Sequence, residues 1–128
     1  MKTKEQIIEE TGSFYNSNNR SVDQNLDPNS FSGNCRYIAP DGKRCAFSRN
    51  CKDDEETNTK LKDCEGQNAE TILNKNGQEV LLEEYQGHEP QFWNDLQGLH
   101  DREFNWTERG LSMEGEKHKA ELLAKYKD

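Results

Sequence analysis

Long apolar stretches are missing from this 128-residue chain: no run approaches the roughly 18–20 residues that a membrane-spanning helix needs, so a bilayer-crossing protein is not expected. Hydrophobic residues of every kind are scarce, at 30% against 33% charged, which predicts a modest core with exposed polar margins. The N-terminal MKTKEQIIEETGSFY has charges on both sides of a two-residue Ile pair and lacks the apolar centre of an export signal. A soluble, cytoplasmic chain is the expectation, and the Asn105-Trp106-Thr107 sequon is then an accident of composition. Positive charge is also thin where it would matter for nucleic acid. Residues 65–128 hold 7 Lys and Arg against 14 Asp and Glu, and the whole chain carries −8. Nonspecific binding to a phosphate backbone is excluded by that sign.

Closely paired cysteines are missing too. The four, Cys35, Cys45, Cys51 and Cys64, are separated by 9, 5 and 12 residues, where zinc sites bring ligands in pairs two to four apart. Free buried thiols are therefore the expected state, with no cofactor. Zinc held by those four, or by some of them with His88 or His100, stays open as a structural alternative. A Cys35–Cys45 disulfide would be reachable across a short hairpin but is disfavoured in a reducing cytosol.

What is present is concentrated in CRYIAPDGKRCAFSRNC, residues 35–51. Ala39-Pro40-Asp41-Gly42 is a turn signal, with Pro presetting one dihedral and Gly admitting a positive one, so 35–47 reads as a β-hairpin. Residues 35–52 carry five cations against Asp41 alone, a local +4 in an acidic protein. Arg36, Lys43, Arg44 and Arg49 offer guanidinium and ammonium donors for phosphate, Tyr37 an aromatic face for a base, and His100 a further polar contact. These six are the candidate ligand-binding residues.

Around this hairpin the pattern is mainly helical. Thr3-Lys4-Glu5-Gln6 is a capping box for a helix over about 4–15. Residues 16–34, dense in Asn, Ser and Asp, form a long polar loop, and 52–63 a charged, exposed connector. A short helix is expected over 69–73, stopped by Asn74-Lys75-Asn76-Gly77. From Pro90 to about Arg102, Phe92, Trp93, Leu96, Leu99 and His100 recur at helical steps. Phe104 and Trp106 then pack down as core aromatics. Ser112 caps a last helix with Met113, Ala120, Leu122, Leu123 and Tyr126 inward. The expectation is a single α+β domain, a small antiparallel hairpin or sheet on three to four helices.

Cys35-x-Tyr37, Gly42-x-x-Cys45-Ala46, Cys64-Glu65-Gly66 and Leu96-Gln97-x-Leu99-His100-Asp101 followed by Trp106 together resemble a family of small uncharacterised proteins from bacteriophages and bacterial mobile elements. That family's pattern is a Cys-x-Tyr-Arg hairpin ending in Gly-x-Lys-Cys-Ala-Val-Gly, then Met-Glu-Gly, then a helix with Leu-Gln-x-x-His-Asp. Here Phe47-Ser48-Arg49 replaces the Val-Gly end and Cys64 the Met. The resemblance implies a bacterial host cytosol and no established activity.

The functional expectation is a nonenzymatic accessory protein that binds and neutralises a host component, with homo-oligomers left open. Two mechanisms fit its charge. The acidic second half could mimic a polyanion on a basic host surface, or the hairpin could capture a small phosphorylated nucleotide. The rival is a nucleotide-acting enzyme using Cys45, His100 and Asp101, against which stands the expectation that adjacent helical residues point apart, so that Asp101 cannot orient His100.

Overall fold

A computed structural model of the chain describes residues 2–20, 37–39, 42–65 and 67–127. Cys35, Arg36, Pro40, Asp41, Gly66 and most of the expected 16–34 loop lie outside the described residues. The first helix, α1 (Lys4–Phe14), starts as its capping box requires. The Thr3 hydroxyl accepts from the Gln6 amide at 3.1 Å, and the Gln6 side chain accepts from the Thr3 amide at 2.9 Å. Ile7, Ile8 and Thr11 face inward, and the Thr11 hydroxyl, which water cannot reach, is satisfied by the Ile7 carbonyl.

The expected connector at 52–63 is instead largely a helix, α2 (Glu55–Asp63). Its N-cap Asp54 accepts from the Thr57 amide at 2.7 Å, acids fill the first turn, and Lys60 and Lys62 lie in the last. Those end effects, with Thr57 and Leu61 as the only buried contacts, are enough to hold nine residues helical. Helix α3 (Ala69–Asn76) begins at the Asn68 cap and stops at Gly77, whose φ of 82° a side chain would resist. It lies against α4 (Pro90–Asp101), which buries Phe92, Trp93, Leu96, Leu99 and His100. Trp93 is at the centre, edge-on to Phe47, Phe92 and Tyr85, and burying each ring of this kind is worth roughly 1.5–3 kcal/mol.

The sheet is not where the hairpin was expected. Two short antiparallel strands, β1 (Trp106–Thr107) and β2 (Gly110–Leu111), pair Trp106 with Leu111 and Thr107 with Gly110. Among the described residues of the expected hairpin there is an isolated antiparallel bridge, Ile38 to Arg44, with the Ala39 amide on the Lys43 carbonyl at 2.8 Å. Side chains take amides next to the bridge: Glu65 accepts from those of Tyr37 and Ile38, and Gln97 from that of Phe47. The chain then curls into a 3-10 turn at Ser48–Asn50.

The last helix, α5 (Met113–Lys125), is capped by Ser112 as expected, and Leu122 is buried with Leu123 and Tyr126 against the core. Three expected core residues face solvent instead. Phe104 is 52% exposed because the Glu103–Asn105 turn points Asn105 inward, Met113 is 87% exposed at the helix start, and Ala120 is exposed as well. Among the described residues, five helices and this small antiparallel sheet surround one hydrophobic cluster, an α+β fold with one or two helices more than expected. No helix among them is long and apolar enough to cross a membrane.

Candidate functional site

Several of the residues singled out in the sequence meet at the C-terminal end of α4. Gln97 bridges two partners, accepting from the Phe47 amide at 3.1 Å and donating to Asp101 Oδ1 at 2.7 Å. That carboxylate oxygen also lies 2.8 Å from His100 Nδ1, which donates to it. Asp101 thus orients His100 directly, contrary to expectation. The reason is local: Asp101 is the last residue of the helix, Gln97 holds its carboxylate one turn back, and Nδ1 is the ring nitrogen nearest the main chain. Burial still dominates the imidazole, which is fully enclosed, and its pKa falls below the ordinary histidine value despite the carboxylate.

The carbonyls that end α4 are satisfied from elsewhere in the chain. Arg20 Nε donates to the His100 carbonyl at 2.7 Å and Nη2 to that of Asp101 at 2.9 Å. The Trp106 indole donates to the carbonyls of Leu99 and His100, both at 3.1 Å. Cationic capping of a helix C-terminus complements its partial negative charge. Tyr15 closes the group, edge-on to the His100 ring at 4.8 Å with its hydroxyl on the Arg44 carbonyl at 2.6 Å.

Cys45 is fully buried beside Ser48, whose hydroxyl donates to the Tyr37 carbonyl and so can only accept from the thiol 3.3 Å away. The thiol keeps its proton, and burial pushes its pKa up to about 12. Cys51 is raised by burial as well, and Cys64 is enclosed at the end of α2. Among the described residues the three cysteines are free thiols, and no three His, Cys, Asp or Glu side chains come together as a metal-holding group. His88 lies elsewhere, its Nε2 at 2.8 Å from the Lys2 carbonyl.

The described cations of the expected ligand site, Lys43, Arg44 and Arg49, each contact the protein itself. Arg44 spreads its guanidinium over Asp53 Oδ1 at 2.8 Å, Asn58 Oδ1 at 2.6 Å and the Ser48 carbonyl at 3.2 Å. Arg49 stacks 4.6 Å from the Phe14 ring centre and lies 3.7 Å from Glu10. Lys43 donates to the Asn18 carbonyl at 2.5 Å, and the buried Tyr37 hydroxyl donates to the carbonyl of Gln67. What this arrangement does chemically is anchor the 37–50 segment on α4. Sequence reasoning missed Arg20 and Ser48 as parts of it. Arg20 did leave one signal, being the only cation between Asn16 and Asn34.

Four ion pairs share one polarity, whereas Lys125–Asp95 has the reverse, with 56% of the cation and 18% of the carboxylate exposed, and Lys2–Glu10 is even at 31 and 32%. In Lys4–Glu89, Arg44–Asp53, Lys60–Glu56 and Lys119–Glu9 the cation side chains are 24, 19, 31 and 17% exposed, and their carboxylates 51, 80, 81 and 51%. In those four pairs the cationic stems lie along the protein while the acids face water. Glu83 and Glu84 are exposed beside them on the turn before α4. No protein-family model, curated protein or solved structure matches the chain.

Proposed function

We propose that this protein is a nonenzymatic inhibitor that presents a polyanionic surface to a basic, nucleic-acid-binding face of a host component. The acidic balance carries this reading, with a net −8 and four ion pairs in which the carboxylate is the more exposed partner and so the first group that an approaching basic face meets. The sealed thiol and imidazole support a binding role over catalysis, because a nucleophile or base has to reach its substrate. A phosphorylated ligand at the 37–50 segment would have to displace the acceptors that Arg44 and Lys43 already hold. The motifs shared with phage and mobile-element proteins support a bacterial cytosol as the setting.

Competition tests it. The immobilised chain is exposed to bacterial lysate at low salt, and retained proteins are eluted with double-stranded DNA, alongside the variant Glu83→Lys, Glu84→Lys, Glu89→Lys. Wild type should retain nucleic-acid-binding proteins that DNA releases and that are lost on the variant and at higher salt. Equal retention by both chains would overturn the reading.

A further inference from the structure

A groove of about 280 Å³ runs between α4 and α5, away from the buried knot around His100. Gly98 forms part of its wall; a Cβ there would find only His118 Cε1, at 3.9 Å. Its polar lining can be resolved into donors and acceptors. The Asn105 amide nitrogen donates to the Leu99 carbonyl at 3.1 Å, which can only accept, so the amide orientation is fixed. The same nitrogen lies 3.0 Å from His118 Nδ1. Nδ1 must therefore accept, and the proton of the neutral ring sits on Nε2 as a donor.

Asn94 spends its side-chain oxygen on the Glu70 amide at 2.9 Å, which leaves it N–H groups to offer. Arg102 is exposed at the rim and has no ion pair among the described residues. It is close enough to His118 to help burial lower the imidazole pKa. Asp95, on the same helix as Asn94, binds Lys125 at 2.6 Å, Gln91 at 2.8 Å and the Tyr126 hydroxyl, and Lys125 offsets its charge. Glu121, which is exposed, is the other carboxylate that opposes an anion. Donors therefore outnumber usable acceptors in a groove large enough for a small metabolite.

We propose that the α4–α5 groove binds a small oxyanion, the phosphate or carboxylate head of a metabolite-sized ligand, through Arg102, the Nε2–H of His118 and the Asn94 amide. Arg102 supplies the charge and a fork of donors that matches two oxygens, and His118 and Asn94 add neutral donors from the neighbouring helices. Glu121 at the rim selects ligands that carry a hydroxyl or ammonium group next to the acid. The site uses none of the residues tested for polyanion mimicry, so either reading can fail without the other.

The experiment is an NMR titration of the full chain that follows the His118 ring protons, with inorganic phosphate and succinate as separate probes and sodium chloride at matched ionic strength as reference. The inference expects a saturable shift with at least one probe, and the stronger responder separates a phosphate site from a carboxylate site. Loss of the Arg102 fork in Arg102→Ala should weaken binding by about tenfold or more. Arg109→Ala, at an exposed position in the β1–β2 turn, should leave it unchanged. Gly98→Leu, which fills the groove while keeping Arg102, should abolish the shift in a chain whose remaining spectrum is native. Shifts no larger than those from chloride, or a saturable shift that survives Arg102→Ala, would overturn the proposal.

Discussion

Two histidines on neighbouring helices show how differently the same side chain is used. His100, on α4, is sealed: its Nδ1 donates to Asp101, its ring meets Tyr15, and Arg20 and Trp106 hold its carbonyl. His118, on α5, is half-buried at the edge of a groove, with Nδ1 accepting from Asn105. Burial lowers both pKa values, so both rings are kept neutral, but only one can be reached from solvent. The histidine that sits in a recognisable motif is a joint, and the one without a motif has hydrogen-bonding capacity left over.

The largest effect should come from breaking the joint. His100→Ala removes an enclosed ring, leaves a cavity beside Tyr15 and takes one hydrogen bond from the Asp101 carboxylate, at a cost of about 3 kcal/mol. His118→Ala removes one hydrogen bond from a half-buried ring and should cost about 1 kcal/mol. Urea unfolding of both variants decides it, and equal losses would mean that His100 is no more structural than His118.

The helical glycines sharpen the same contrast. A Cβ at Gly115 would lie 2.1 Å from the Asn105 carbonyl oxygen, which is backbone and cannot swing aside. Gly115→Ala must therefore push α5 off the Glu103–Asn105 turn, and overpacking of that kind costs about 1–3 kcal/mol. At Gly98 the nearest atom would be 3.9 Å away, an ordinary contact, so Gly98→Ala should stabilise the protein by about 0.5–1 kcal/mol through helix propensity. Thermal midpoints should move in opposite directions, and a fall in both would show that the groove beside Gly98 is tighter than described.

These contrasts also explain what could be read from sequence. Caps and apolar periodicity act within one or two turns, so Thr3 and Ser112 mark their helices, and Phe92 to Leu99 the inward face of α4, without knowledge of the rest of the chain. Where a segment's hydrogen bonds go to distant residues, local reading fails. The 37–45 segment has the turn and alternation of a hairpin, yet Glu65 and Gln97 take amides next to its bridge. Phe104 reads as core because it is aromatic, but its neighbour Asn105 has the longer-range partners, Leu99 and His118. Six motif residues did point to one place: Tyr37, Cys45, Glu65, Gln97, His100 and Asp101 lie in or beside the α4 knot and support it. Arg20, 80 positions from the carbonyl that it caps, left only the trace of an isolated cation.

The finest expected effect is a pH dependence that belongs to the two histidines together. Each has a folded-state pKa below its unfolded value near 6.5, so below that value the unfolded chain binds protons that the folded chain refuses. Their stabilisation is therefore complete above about pH 7.5 and is lost as the pH falls through about 6.5 towards the folded values. Carboxylates act in a lower window: its own backbone amide and then Lys4 at Glu89, and Thr57 at Asp54, hold those groups below the ordinary carboxylate range, so their share is lost only in stronger acid. Free energies of unfolding between about pH 7.5 and 5.5 should fall steadily in wild type. In His118→Gln, where an amide oxygen can still accept from Asn105, the fall should be smaller but persist, because His100 remains. A flat wild-type profile would show that neither imidazole is held neutral, and a flat profile in the variant alone would assign the whole effect to the groove.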